Sequence, residues 1–270
     1  MQIQDLPDFR VIRKIPKGGL TDLYVCVAPN GQRVVVRFIR EQYKHDRNMR
    51  KSFKKGLEIL KELDHPGIVK VLNDGVIKGI PYMIIDYHES ENLRECILHQ
   101  NPILKAHSLT LVRQLAAALA YVHSMGYLHM DLKPENMLIK ASVDLLLIDF
   151  DLSLKHRGAK TVRMKTLPGT PTYLAPETLV HRTVEERSEV FAYGVASYEL
   201  LTGHKPFEAN SVTEYKRAVV DPRVKAYPLH EYRADISRKL EEVVMKCLSK
   251  NPLHRYPSMA LVKRDLDALL

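Results

Sequence analysis

The run YLHMDLKPENMLI, residues 127–139, sets a carboxylate at Asp131, an ammonium at Lys133 and an amide at Asn136 into an otherwise apolar stretch. Shortly downstream the hydrophobic run LLLIDFD, residues 145–151, delivers a second acid, Asp149. Phosphoryl transfer uses this inventory: a carboxylate beside the attacking hydroxyl, a cation on the moving phosphate, and oxygen donors for a magnesium ion. Either segment taken alone reads equally well as a loop holding a satisfied aspartate. Their pairing is what points to chemistry.

These groups need a frame. Residues before 87 read mainly as strands: DLYVCVA (22–28) and QRVVVRFI (32–39) flank Pro29-Asn30-Gly31, an Asn-Gly turn signal between β-rich runs. A helix is predicted from about Met49 to Leu63, with apolar residues at 53, 57, 60 and 63, ended by Asp64-His65-Pro66-Gly67. IVKVLNDG and PYMIIDY read as two more strands. Beyond Tyr87 the texture turns helical. SLTLVRQLAAALAYVHSMG carries Ser108 as its N-cap and Gly126 as its terminator. VFAYGVASYELLTG, residues 190–203, is too apolar for a surface helix. ISRKLEEVVMKCL and a segment after Pro257 complete the set. The predicted class is α+β: one bilobal domain over 1–270, with a β-rich N-lobe of about 1–87 and a mainly helical C-lobe of about 88–270.

Lysine and arginine outnumber aspartate and glutamate 41 to 32, a formal charge of +9. Part of the excess sits in REQYKHDRNMRKSFKK, residues 40–55, which reads as a solvated helix face or as a patch for an acidic partner. No motif that reads nucleic acid accompanies it. No apolar run approaches the roughly 20 residues of a membrane helix, and MQIQDLPDF lacks signal-peptide character. Cys26, Cys96 and Cys247 suggest neither disulfides nor a metal site. A cytoplasmic location is expected.

In chain order, HMDLKPEN (129–136), LLLIDFD (145–151), GTPTYLAPE (169–177), SEVFAYGVASYELLTGHKPF (188–207) and CLSKNPLHR (247–255) resemble signature segments of eukaryotic-type serine/threonine protein kinases, over about residues 9–268. The resemblance implies the bilobal protein-kinase-like fold. It assigns Asp131 as catalytic base, Lys133 as the γ-phosphate contact, and Asn136 and Asp149 as magnesium ligands. It further implies ATP and Mg as cofactors, with Gly18, Leu23, Val35, Arg37, Asp86 and Leu138 around the nucleotide. Lys133, two residues after the base, and Gly169-Thr170 ahead of Ala175-Pro176-Glu177 are similar to the serine/threonine branch. Glu177 and Arg255 resemble the ion pair that fixes the C-lobe. His129, Phe150, Leu60 and Val71 match a hydrophobic column, for which core packing alone is expected.

The departures from the family pattern lie mainly in the N-lobe. The glycine-rich loop reads PKGGLTDL (16–23), with Pro16 and Thr21 at the first and third glycine positions, which costs an amide donor and close backbone approach to phosphates. Val35 narrows the space over an adenine. Arg37, a planar fork, replaces a compact lysine. Gly56 stands where that lysine's glutamate partner belongs, and Ser52, Phe53, Ile59 and Leu60 on the same face supply no acid; its bland reading is an exposed helix glycine. Lys17 is the nearby candidate for a substitute lysine. Met130 removes the arginine that would receive a phosphate on Thr166, Asp151 replaces a hinge glycine, and Glu189 replaces an aspartate that braces the catalytic loop.

These losses favour a pseudokinase with a regulatory or scaffolding role, binding Mg-ATP weakly and transferring phosphate slowly or not at all. The alternative is an active but low-rate or unconventional serine/threonine protein kinase, because the C-lobe inventory is complete. A small-molecule kinase fits less well, since GTPTYLAPE resembles a peptide-positioning segment. A protein partner or substrate is expected, with no membrane segment and no specific nucleic-acid motif.

Overall fold

The two strand runs around Asn30-Gly31 pair as a hairpin. Gly31 takes φ +82°, and the Gln32 amide donates to Asn30 Oδ1 at 3.0 Å. β1 (Arg10–Ile15), β2 (Thr21–Val27) and β3 (Arg33–Ile39) run antiparallel. After α1 (Arg47–Glu62), β4 (Val71–Ile77) and β5 (Ile80–Asp86) complete a five-stranded sheet of order β1-β2-β3-β5-β4. The computed structural model describes residues 9–16, 21–156, 161–167 and 169–270. Lys17 and Gly18, and with them the centre of the glycine-loop reading, lie outside the described residues.

α1 starts before its apolar periodicity does, because the Asp46 carboxylate caps it by accepting from the amides of Asn48 and Met49. It ends at Glu62, with Leu63 as the C-cap. Phe53, Leu57 and Leu60 are buried, and α1 lies against β3, β4 and β5. Gly56 shares that buried face, so the exposed-glycine reading fails. Ile68 and Val69 are buried ahead of β4, which begins only at Val71.

The chain divides into two compact units, one running to Asp64 and resuming over Ile68–Glu89, the other made of His65–Gly67 and Ser90–Leu270. The second unit contains β6 (Ser90–Asn92), α2 (Leu93–Leu98), α3 (Pro102–Ala106), α4 (Ser108–Ser124), β7 (Tyr127–Leu128), β8 (Met137–Lys140), β9 (Leu145–Leu147), β10 (Leu154–Lys155) and β11 (Val162–Arg163). It continues with α5 (Pro176–His181), β12 (Thr183–Val184), α6 (Glu186–Thr202), α7 (Val212–Val220), α8 (Leu229–Tyr232), α9 (Arg238–Cys247) and α10 (Met259–Asp267). α4 buries Leu111, Leu115, Leu119 and Val122 along one stripe. Ser108 is its first residue and not its cap; His107 holds the cap position without a side-chain bond. α6 is buried on nearly every face, as its composition requires. At Gly194 an added Cβ would fall 2.9 Å from the Cys247 Cβ, so glycine lets α6 and α9 approach closely. Two short ladders, β6-β8-β9 and β7-β10, carry the loops that hold Asp131 and Asp149, and β11 pairs with β12 in a third. Among the described residues no helix is long and apolar enough to cross a membrane.

Candidate active site

The loop between β7 and β8 is held in place by a residue of α6. Glu189, in the first turn of that helix, accepts the amide of His129 on Oε2 at 3.0 Å and the amide of Met130 on Oε1 at 2.7 Å. His123 Nε2 lies 2.7 Å from the same Oε2. Burial by itself would raise the pKa of Glu189, but the hydrogen bond and charge of His123 and the Met130 amide outweigh it and hold the carboxyl below its ordinary value. Glutamate therefore makes the brace at a position where the sequence counted a departure. His129 is fixed at both ring nitrogens: Nδ1 accepts from the Asp131 amide at 3.3 Å, so Nε2 carries the proton that points at the Ile148 carbonyl, 3.1 Å away. Its ring meets Phe150 edge-on at 4.7 Å. Leu60 is buried and Val71 half-buried in the first unit.

Met130 takes φ +72°, an uncommon backbone state for a methionine. Gly169 passes directly over it: a Cβ there would fall 2.4 Å from the Met130 carbonyl oxygen, so only glycine permits the approach. That approach delivers Thr170, whose hydroxyl donates to Asp131 Oδ1 at 2.9 Å. Asp131 Oδ2 accepts from Lys133 Nζ at 2.5 Å and from Asn136 Nδ2 at 3.1 Å. Lys133 also donates to Thr170 Oγ1 at 3.2 Å, and Asn136 Nδ2 to the Asp131 carbonyl at 2.9 Å. Asn136 has spent its amide nitrogen, while its Oδ1 is buried and has no hydrogen-bond partner among the described residues. An orphaned amide oxygen beside a carboxylate suits a hard cation, so the donor set fits magnesium. The Ile148 amide donates to the Asn136 carbonyl at 3.0 Å, which sets Asp149, half-buried at φ +68°, one residue away along the chain.

Leu23, Val35, Arg37 and Asp86 belong to the first unit. Arg37 is buried, its Nε donates to Thr21 Oγ1 at 3.2 Å, and its guanidinium carbon lies 5.5 Å from the centre of the Phe53 ring. The residues that replace the lysine and the third glycine are thus partners. Leu23, directly opposite Arg37, is buried, as is Val35 between Val25 and Ile85. The Asp86 carboxylate accepts the Lys70 amide at 2.9 Å and contacts His88. Leu138 is half-buried in β8, opposite Leu146 and Asn92.

Met130 does not leave a hole where an arginine was expected. It joins Leu128 and Val184 in a buried cluster on which Leu154, Val162 and Met164 pack. Glu177 and Arg255 form a bidentate pair at 2.8 and 2.9 Å. One network escaped the sequence reading. Arg94 reaches Glu135, next to Asn136, at 3.1 Å, Glu199 at 2.6 Å and the Tyr173 hydroxyl at 2.9 Å; Lys205 meets Glu199 at 2.6 Å. Burial pushes the Lys205 ammonium down to about 8, against the opposing pull of Glu199. No spacing announces this set, since Arg94 and Glu199 are 105 residues apart.

Comparison with known proteins agrees with this geometry. A family model described as the protein kinase domain matches residues 9–266. The serine/threonine-protein kinase PrkC of Bacillus subtilis is 25% identical over 259 residues, covering 96% of this chain and 40% of that protein. The serine/threonine-protein kinase PknB of Mycolicibacterium smegmatis is 29% identical over 258 residues, covering 92% and 41%. PknB of Mycobacterium tuberculosis is 28% identical over 258 residues, with the same coverage of 92% and 41%. The chain spans about two fifths of the length of these curated relatives.

Proposed function

The chain belongs to the protein kinase domain family, and from that premise we propose that it is a serine/threonine protein kinase, transferring the γ-phosphoryl group of ATP to a hydroxyl on a protein substrate. The observation that carries the proposal is the closed cluster of Asp131, Lys133, Asn136 and Thr170, with the amide oxygen of Asn136 left over. Asp131 is positioned as the base. One of its oxygens is held by Thr170 and the other by Lys133 and Asn136, so its direction is set before substrate arrives. It would accept the proton of the incoming serine or threonine hydroxyl. Lys133, already poised between Asp131 and Thr170, would turn part of its charge toward the transferred group. Asn136 and Asp149 are the residues that would hold magnesium, and Mg-ATP when bound supplies the phosphoryl group and neutralises its charge.

The pseudokinase reading rested on counting departures, and the geometry answers several of them. Glu189 makes the brace, Met130 is packed, and Arg37 remains a buried cation held by Thr21 and Phe53. Gly56 still brings no carboxylate, and a valine at 35 in place of a small residue would leave less room over an adenine, which favours weak nucleotide binding and turnover below the roughly 1–100 per second usual for kinases. The test is transfer from radiolabelled ATP to a mixed serine/threonine peptide library, with Asp131→Asn as the blank. Incorporation well above the blank is expected; incorporation equal to it would return the chain to a non-catalytic role.

A further inference from the structure

Residues 163–165 and 180–183 border an open surface groove of about 840 Å³ whose ionisable side chains are all of basic type and all exposed: Arg163 and Lys165 on one side, His181 and Arg182 on the other. No acidic side chain lines it, and among the described residues none of the four forms an ion pair. Some basic groups elsewhere in this strongly cationic chain are paired locally, Lys14 with Asp22, Lys140 with Asp144 and Lys263 with Asp267.

The groove has a built floor. β11 and β12 pair antiparallel, with Val162 opposite Val184 and Arg163 opposite Thr183, and the Met164 amide donates to the Arg182 carbonyl at 2.7 Å. Val162 and Met164 pack on the cluster of Leu128, Met130 and Val184, and strand alternation sends Arg163 the other way. Arg182 closes α5 in the left-handed region at φ +57°, a position that glycine or asparagine fills with less strain. Its Nη1 donates to the Lys165 carbonyl at 3.1 Å, which ties the two walls together. An arginine kept against backbone preference, beside three more unpaired basic groups, matches an anion with several acceptor oxygens. The groove is far roomier than one inorganic ion needs. The hydroxyls of Thr161 and Thr166 are not in its wall.

We propose that this groove is a recognition site for a phosphorylated side chain carried on a separate peptide, the doubly charged phosphate seated between Arg163 and Arg182. The site is independent of whether the chain transfers phosphate. Fluorescence anisotropy tests it, using labelled phosphothreonine peptides free of other acids, their unphosphorylated counterparts and the whole chain. The phosphorylated set should bind at least about tenfold more tightly, and Arg163→Gln and Arg182→Gly should each remove about that factor. Glycine suits the backbone at 182, so that variant should keep its melting temperature. It also removes the tie to the Lys165 carbonyl, so Arg163→Gln, whose side chain makes no such bond, is the variant that reads the phosphate contact itself. Equal affinity for the two peptide sets, or parental affinity in both arginine variants, overturns the site. If Thr166→Glu weakens binding as much as the arginine variants do, the segment's own side chain fills the groove and the proposal fails.

Discussion

Glutamine at position 189 keeps the shape of glutamate and changes only what one terminal atom offers. In the native side chain Oε1 accepts from the Met130 amide, and Oε2 accepts from the His129 amide and faces His123 Nε2. A glutamine has one acceptor oxygen, so whichever way it turns its NH2 group meets a buried donor. The best orientation keeps the oxygen on His129 and His123 and leaves the Met130 amide unsatisfied. The loss of a hydrogen bond to a charged group costs about 1.5–3 kcal/mol, and the orphaned amide about 1–3 kcal/mol. The two overlap, for a total of about 3–5 kcal/mol, the usual cost of removing one partner from a buried charged pair. At about 2–4 °C per kcal/mol for a chain near this size, the melting temperature of Glu189→Gln should fall by about 6–20 °C. Asp131 follows Met130 directly, so phosphate transfer should fall as well. The folded pKa of Glu189 lies below its ordinary 4.5, so its contribution is complete above that value and disappears as pH falls through the lowered one. The variant should therefore lose stability less steeply than the parent on the acid side. Calorimetry between pH 3 and 7 reads both effects. A variant that melts within about a degree of the parent at pH 7 would refute the bracing argument.

Three further outcomes are expected. Millimolar Mg-ATP should raise the melting temperature as RT ln(1 + [L]/Kd) requires, and Asp149→Asn or Asn136→Leu should remove the magnesium-dependent part; an unmoved curve in the parent sinks the nucleotide assignment. Arg37→Lys with Gly56→Glu should transfer more phosphate than either single change, with a coupling of about 0.5–3 kcal/mol. Gly56→Glu alone should lower stability, because it puts a carboxylate on the buried face of α1; an additive cycle would show that the pair does not limit the rate. Thr166→Ala and Thr166→Glu should transfer phosphate at similar rates, since position 130 contributes methionine packing and no receiving arginine. A large difference between them would identify another basic receptor.

Asp131, Lys133 and Asn136 fall within one short loop, so their nearness is a property of the chain and was legible from spacing alone. The same holds for the Asn30-Gly31 hairpin and for the apolar stripes of α1 and α4, because turn chemistry and periodicity are decided by neighbours in sequence. Local signals also set the limits of that legibility: Ser108 looked like a cap but lies inside its helix, and Gly56, for which an exposed glycine was only the bland alternative, is buried. What the departing side chains contact was decided only by tertiary structure. Glu189 counted as an altered brace until α6 brought it to amides about 60 residues earlier in the chain. Arg37 and Thr21 read as two separate losses until the register of β2 and β3 put one within hydrogen-bond reach of the other. Met130 read as a missing charge until β12 supplied Val184 beside it. A residue's type states what it can offer, but whether that offer is met depends on a partner that only long-range packing delivers.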